Sequence, residues 1–331
     1  MSLGALDITL AARGPAPRWH FAPVAGPDVE RHLVGRTAGE AAQMLPRIFN
    51  LCAAAHAGAA HAALGLPASA VDAARREAAA REECRRDHAR AVLAEWPALV
   101  GGALDRDGLR LLAAPDRAAL RHHLLGADLD LAGATPATLE AWLVRGASPV
   151  ARLLRRIRQQ VRPEWGRVDL DQPDADDIVA TLETGAPGAA RETTALDRWR
   201  QAPLIGALRA GEGTSLFVRL LARLLELVAG LDDGDPPPPL PPGLPPGIGL
   251  ARAARGLLAH RACLREGRVF DYRIVPPSAW NLAPGGLLAR MLAALPLGAQ
   301  TPMLARIALA GVNPCVPVRL RFEAREGVCH A

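Results

Sequence analysis

The chain has 331 residues and no lysine; all 39 basic residues are arginine. That excludes Schiff-base chemistry on a lysine and the phosphate loop that closes on one. Aromatic residues make up only 4%. A nucleic-acid surface wants stacking aromatics between its cations, and here the net charge of +5 is diluted by Asp and Glu alternating with Arg. No nucleic-acid partner is expected. No apolar run reaches the roughly 18 residues that span a bilayer. The best candidate, Leu216 to Val228, is broken by Arg219, Arg223 and Glu226, so no membrane association is expected. No basic stretch followed by an apolar core opens the chain, so no signal peptide is read and a cytoplasmic location is expected. The five cysteines, Cys52, Cys84, Cys263, Cys315 and Cys329, include no Cys-x-x-Cys pair. A chain long enough to bury its own core needs no disulfide framework.

Half of the residues are hydrophobic, which is globular composition. Residues 1–35 carry short extended patterns punctuated by Pro and Gly. Thr37-Ala-Gly-Glu40 is a capping box that opens a helix, and Pro46 interrupts it. From Arg47 the pattern is helical to Leu64, where Gly65-Leu66-Pro67 stops it. Ser69 to Asp72 starts a charged helix that reaches Arg90 and ends at Trp96-Pro97. Further helices read at about 136–145, 149–161 and 215–229. In the second of these, Leu153, Leu154, Ile157 and Val161 form an apolar face opposite Arg152, Arg155, Arg156 and Arg158. Residues 232–249 are acidic and then proline-rich, an extended polyproline-like connection. The segment is either a plain spacer or a PxxP ligand. Beyond it, Leu264 and Val269–Val275 flank Glu266-Gly267 as a hairpin. The remainder reads as short helices and loops ending in Asn313-Pro314-Cys315.

Chemistry is concentrated at a few points. Cys52 and His56 stand at i and i+4, on one helix face. They are either a small buried thiol beside a core histidine or half of a metal site. Cys315 follows Pro314, which fixes the backbone before the thiol; it is either a buried turn cysteine or a ligand. Arg255 lies in an apolar stretch ending at His260. It is a surface arginine, or a guanidinium in need of a partner or ligand. Pro276-Pro277-Ser278-Ala279-Trp280-Asn281 is a packed corner or the lining of a pocket. Cys84, among Glu82, Glu83, Arg85 and Arg86, is expected to be exposed. Cys263 is expected in the core, and Cys329-His330 is weak evidence for metal.

In chain order these pieces resemble the large subunit of nickel–iron hydrogenases. The R-x-C-G-x-C-x-x-x-H motif appears as Arg47-Ile-Phe49-Asn50-Leu-Cys52-Ala-Ala-Ala-His56. E-A-P-R-G-A-L-G-H appears as Arg252-Ala253-Ala254-Arg255-Gly256-Leu257-Leu258-Ala259-His260, and the V-P-S/T-T-W-N segment ends as Pro277-Ser278-Ala279-Trp280-Asn281. D-P-C-x-x-C-x-x-H appears as Asn313-Pro314-Cys315-Val-Pro-Val318-Arg-Leu-Arg321. The resemblance implies a mainly α fold with a small β portion, α+β, over residues 1–331 as one large-subunit-like domain. It makes residues 232–249 an internal loop, since the first and last motifs must then meet in space.

The departures carry the functional expectation. The family holds nickel and iron with four thiolates, two on nickel alone and two bridging to iron. Phe49 stands for one nickel-only thiolate and Val318 for one bridging thiolate, so no nickel is expected. Arg321 stands for the closing His, a magnesium ligand and processing point. Hydrogen turnover is not expected, and the chain is not read as an enzyme. The iron shell survives. By this resemblance Cys52 and Cys315 are the expected metal ligands. Arg255 and Ser278 match the residues that hydrogen-bond two cyanides. Leu258 lies on the carbon monoxide side, with Ala254 and Pro277 flanking and His56 near the Cys52 thiolate. A buried metal–cyanide group wants a fixed cation and a hydroxyl donor. The combination resembles the HupK/HoxV group of hydrogenase assembly proteins, which look like truncated large subunits. That resemblance implies a scaffold for an Fe(CN)2(CO) fragment, with transient iron, cyanide and carbonyl as cargo. The implied partners are a small HypC-type chaperone, a HypD-type protein and the hydrogenase large subunit. A metal-free mimic that only binds those partners is the alternative.

Overall fold

The computed structural model describes residues 3–11, 18–126, 128–232 and 240–323. In chain order the elements are strands β1 (Leu3–Ala11) and β2 (Arg18–Ala25), then helices α1 (Ala38–Ile48), α2 (Ala53–Ala63) and α3 (Ala70–Arg90). Short helices follow: α4 (Trp96–Leu99), α5 (Arg106–Ala113), α6 (Arg117–Leu125), α7 (Pro136–Arg145), α8 (Pro149–Gln160), α9 (Ala175–Thr184), α10 (Leu196–Trp199) and α11 (Pro203–Glu212). Helix α12 (Leu216–Ala229) precedes β3 (Ile248–Ala253), β4 (Gly256–Arg265) and β5 (Arg268–Val275). The chain then forms α13 (Pro277–Asn281), α14 (Leu287–Ala293), α15 (Thr301–Val312) and β6 (Val318–Phe322). The fold is mainly helical, with two small sheets ordered β2-β1-β6 and β3-β4-β5.

Local signals explain many of these boundaries. Thr37 and Glu40 form the reciprocal capping box of α1, which satisfies two orphan donors at once. Ser69, Thr135, Ser148 and Ser215 each cap the helix that follows by accepting a backbone N–H. The β4–β5 hairpin turns on Glu266 and Gly267, with φ of +50° and +74°, the left-handed geometry that matches the strands' own twist.

One sequence expectation is corrected here, and two features appear that the sequence did not announce. Helix α1 runs through Pro46 to Ile48. The break comes three residues later, at Phe49–Cys52, so the segment from Arg47 to Leu64 is not one helix. Proline near a helix end removes only its own backbone bond, and just two residues of helix remain to be held. Beyond Cys315 the chain forms one more strand. Val318 opens β6, which pairs in parallel with β1 from Leu6↔Val318 to Leu10↔Phe322. The arginines that interrupt the run at 216–228 are themselves in the core. Helix α12 is buried almost all round, as a helix at the centre of a core must be. Arg219 is fully buried against Glu192, Nη2 to Oε2 2.7 Å. Arg223 donates to His88 Nδ1 at 3.1 Å and Ala310 O at 2.6 Å. Among the described residues no helix is long and apolar enough to cross a membrane. Of the proline-rich segment, residues 233–239 lie outside the described residues. Leu240 and Leu244, at its far end, pack against the cluster that holds Trp280.

Candidate functional site

The site is assembled from four points of the chain, and Arg255 joins them. Arg255 sits in the tight connection between β3 and β4, where Ala253 pairs with Gly256. Gly256 has φ +126°, and a Cβ there would stand 1.9 Å from Thr193 O. Only glycine permits both that backbone and that approach. Asn281, on α13, accepts from Thr193 N at 2.9 Å and donates to Arg255 O at 3.4 Å. The turn is thereby held from below.

The buried Arg255 guanidinium reaches three groups. Nη1 donates to Leu51 O at 3.3 Å, Nε to Pro314 O at 3.2 Å, and Nη2 meets Asp87 Oδ2 at 2.7 Å. Leu51 and Pro314 are the residues just before Cys52 and Cys315. One side chain therefore pins the peptides that lead into both thiols. Asp87, on α3, also accepts from Asn313 Nδ2 at 2.9 Å. Asn313 ends α15 in the left-handed conformation and donates to Ala254 O at 3.4 Å. Ser278, in the first turn of α13 behind Pro277, accepts from Cys315 N at 2.9 Å, and its Oγ lies 2.8 Å from Cys315 Sγ.

Cys52 is the N-cap residue of α2 and contributes no side-chain cap. A neighbouring helix supplies one. Glu83 of α3 accepts from Ala54 N at 3.2 Å and Ala55 N at 3.4 Å, a carboxylate placed at the positive end of the helix. Cys52, Ala55, Ala59, Ala253 and Leu258 form one apolar cluster, with Ile274 against it. Burial pushes the Cys52 thiol up to about 12, the charge of Cys315 adds to the rise, and Arg255 opposes it. The thiol is thus protonated until something replaces its proton.

His56 is buried, and its Nδ1 lies 3.0 Å from His260 Nε2. His260 Nδ1 in turn lies 2.8 Å from Tyr272 OH. Phe49 stacks flat on His56, with centroids 3.9 Å apart at 6°. Phe49 thus covers one face of the His56 ring.

Of the expected site residues, Arg255 bonds the peptides before Cys52 and Cys315, Ser278 lies against Cys315, and Cys52 packs in one cluster with Leu258. The hydrogen bond of His56 runs to His260. Two cysteines depart from expectation. Cys84 is buried, because the charges around it pair with one another, Arg85 and Arg86 both with Glu82, while Cys84 and His88 turn inward at i and i+4. Cys263 is exposed, since Ala262 takes the inward face of β4 and successive strand residues alternate. Cys329 and His330 lie outside the described residues. Among the described residues no group of three or more His, Cys, Asp or Glu is placed to hold a metal ion. Asp87 and Glu83 escaped the sequence reading, hidden in a run of surface-like charge; the only signal was their i, i+4 spacing on α3, one helix turn apart.

The donor set fits a metal fragment that brings its own ligands. Two thiols, Cys52 and Cys315, would supply the protein share. A guanidinium has five N–H donors; three are engaged here, which leaves two. Ser278 keeps its hydroxyl hydrogen. The Leu258 cluster offers an apolar wall.

No model of a protein family matches the chain. The chain is 35% identical to the hydrogenase expression/formation protein HupK of Rhodobacter capsulatus over 96% of this chain and 97% of that protein. It is 30% identical to HupK of Azotobacter vinelandii over 89% and 91%. Among solved structures, the nickel–iron–selenium hydrogenase of Desulfovibrio vulgaris Hildenborough shares the fold, with a TM-score of 0.60 at 14% identity over 92% of this chain and 95% of that one. A large-subunit-like α+β fold, with sequence kinship along nearly the whole length, settles the family: this chain belongs to the HupK family of hydrogenase expression/formation proteins.

Proposed function

We propose that this chain is a non-catalytic maturation scaffold that carries the Fe(CN)2(CO) fragment toward a nickel–iron hydrogenase large subunit. The observation that carries the proposal is Arg255. It holds the peptides before Cys52 and Cys315 and still has two N–H groups for acceptors. Cys52 and Cys315 bind iron as thiolates, the remaining Arg255 donors and the Ser278 hydroxyl take the two cyanide nitrogens, and Leu258 and its neighbours face the carbonyl. Charge-assisted donors in a buried site are the strong ones. A buried thiol with its pKa near 12 stays protonated until a binding metal displaces that proton to solvent, which suits a carrier that must not react on its own. Delivery implies contact with a HypC-type chaperone, a HypD-type protein and the large subunit, all in the cytoplasm.

The test is infrared spectroscopy on the full chain, purified without oxygen from a host with complete maturation machinery. Metal-bound cyanide and carbonyl bands are expected, and they are lost in Cys52→Ala and in Cys315→Ala. A band-free preparation that still restores hydrogenase activity in a deletion strain sinks the scaffold. That outcome favours a metal-free mimic of the large subunit.

A further inference from the structure

The line Tyr272–His260–His56 crosses from β5 through β4 to α2. Tyr272, His260 and His56 are at most 2% exposed. Burial pushes His56 down to about 3, takes His260 well below its ordinary value, and raises Tyr272. All three groups are therefore neutral at physiological pH, and each has one mobile hydrogen. Two hydrogen bonds link them.

Neutral imidazole has one donor nitrogen and one acceptor nitrogen. His260 uses both of its nitrogens, so it must donate on one side and accept on the other. Only two arrangements satisfy that. In the first, Tyr272 donates to His260 Nδ1 and His260 Nε2–H donates to His56 Nδ1. In the second, every bond is reversed. A phenol is a stronger donor than an imidazole N–H, and an imidazole nitrogen is a stronger acceptor than a phenol oxygen. The second arrangement also leaves the buried Tyr272 hydrogen without an acceptor, since its hydroxyl has no other partner among the described residues, and an unmade buried hydrogen bond is costly. The first arrangement wins.

We propose that Tyr272 is a positioning residue which, acting through His260, fixes His56 as the Nε2–H tautomer and so presents an N–H donor on the helix face shared with Cys52. Long side chains on a helix lean toward its N-terminus. His56 does so, since it stacks on Phe49, and Cys52 lies between the two in sequence at i−4 of His56. An N–H on that face, next to a ligating sulfur, supports a thiolate and tunes the metal it binds. This consequence rests on Cys52 being an iron ligand; the tautomer does not.

The test is 15N NMR of the full chain with 15N-labelled histidine near pH 7.5, without iron. The nine histidines are resolved by assigning two of them with His56→Gln and His260→Gln. In the native chain both rings are expected as single Nε2–H tautomers. In Tyr272→Phe, which keeps the ring and loses the hydroxyl, that single state is lost and Nδ1–H signals appear for His56. A native His56 in the Nδ1–H form overturns the proposal from the wild-type spectrum alone. So does a Tyr272→Phe spectrum unchanged at both rings. An iron-free infrared result removes the scaffold and leaves this outcome standing, so the two failures are separable.

Discussion

Arg255 occupies a single position yet sets three. It bonds Leu51 O, Pro314 O and Asp87, two in separate loops and one on α3. Arg255→Ala takes the nearest cation from a largely buried carboxylate, which keeps Asn313 and Arg223, and leaves two carbonyls without that donor, a loss of about 1–3 kcal/mol. A urea titration of the variant is expected to show that loss. Arg255→Lys recovers only part of it, because one ammonium cannot reproduce a planar fork. A midpoint for Arg255→Ala equal to wild type refutes the clamp. At this scale the sequence was legible where residue identity itself carries information: Arg255, Gly256, Ser278 and the two cysteines stand in recognisable motifs. Asp87 was not legible. Its neighbours Glu82, Arg85 and Arg86 read as solvated charge, and nothing local says that one carboxylate in that run turns toward a guanidinium in the β3–β4 turn.

Helix α2 shows what an element gains from a neighbour. Its N-cap residue is Cys52, which makes no cap bond, and the first-turn amides are met by Glu83 of α3. The local pattern from Arg47 to Leu64 could not show this, so the break at Phe49–Cys52 was invisible; it depends on a carboxylate from the following helix. Glu83→Ala is expected to destabilise the chain by about 1–2 kcal/mol, the usual loss for a cap. It should also fray the turn that carries Cys52. Iodoacetamide should then modify Cys52 faster in Glu83→Ala than in the native chain, with Cys263, already exposed, as the internal reference. Equal Cys52 rates in the two proteins refute the cap's role. Strand β6 shows the opposite case. Val318, Leu320 and Phe322 alternate with Arg319 and Arg321, the period of a half-buried strand, and the observed burial follows it. That signal was present, but these positions drew attention only as departures from a ligand motif.

The whole molecule carries an acid liability that no single element reveals. His56, His88 and His260 are buried from different sides, the first and last in the Tyr272 line and His88 beneath Arg223. Burial takes His56 down to about 3 and the other two well below their ordinary value. For His88, the nearby Arg223, Arg198 and Arg255 charges add to that fall. The unfolded chain takes up protons on these rings near pH 6.5, whereas the folded chain does not. Between those values the unfolded state binds more protons, so stability rises with pH. It is fully present above about pH 6.5 and is lost as pH falls, by roughly 1.4 kcal/mol per unit for each histidine. With three such rings the slope is roughly 4 kcal/mol per pH unit. Ordinary carboxylates titrate lower, near 4, so the interval from 6.5 to 5 isolates the histidines. Asp197, whose carboxyl is raised by burial, acts in the opposite sense as it protonates in the folded chain. Urea midpoints at pH 7.5, 6.0 and 5.0 should therefore fall steeply across that interval. His88→Gln, which keeps an acceptor for Arg223, should flatten the slope by about a third, since one of three rings is removed. A midpoint constant from pH 7.5 to 5.0 would mean that these rings are not held neutral, and the burial argument would fail with it.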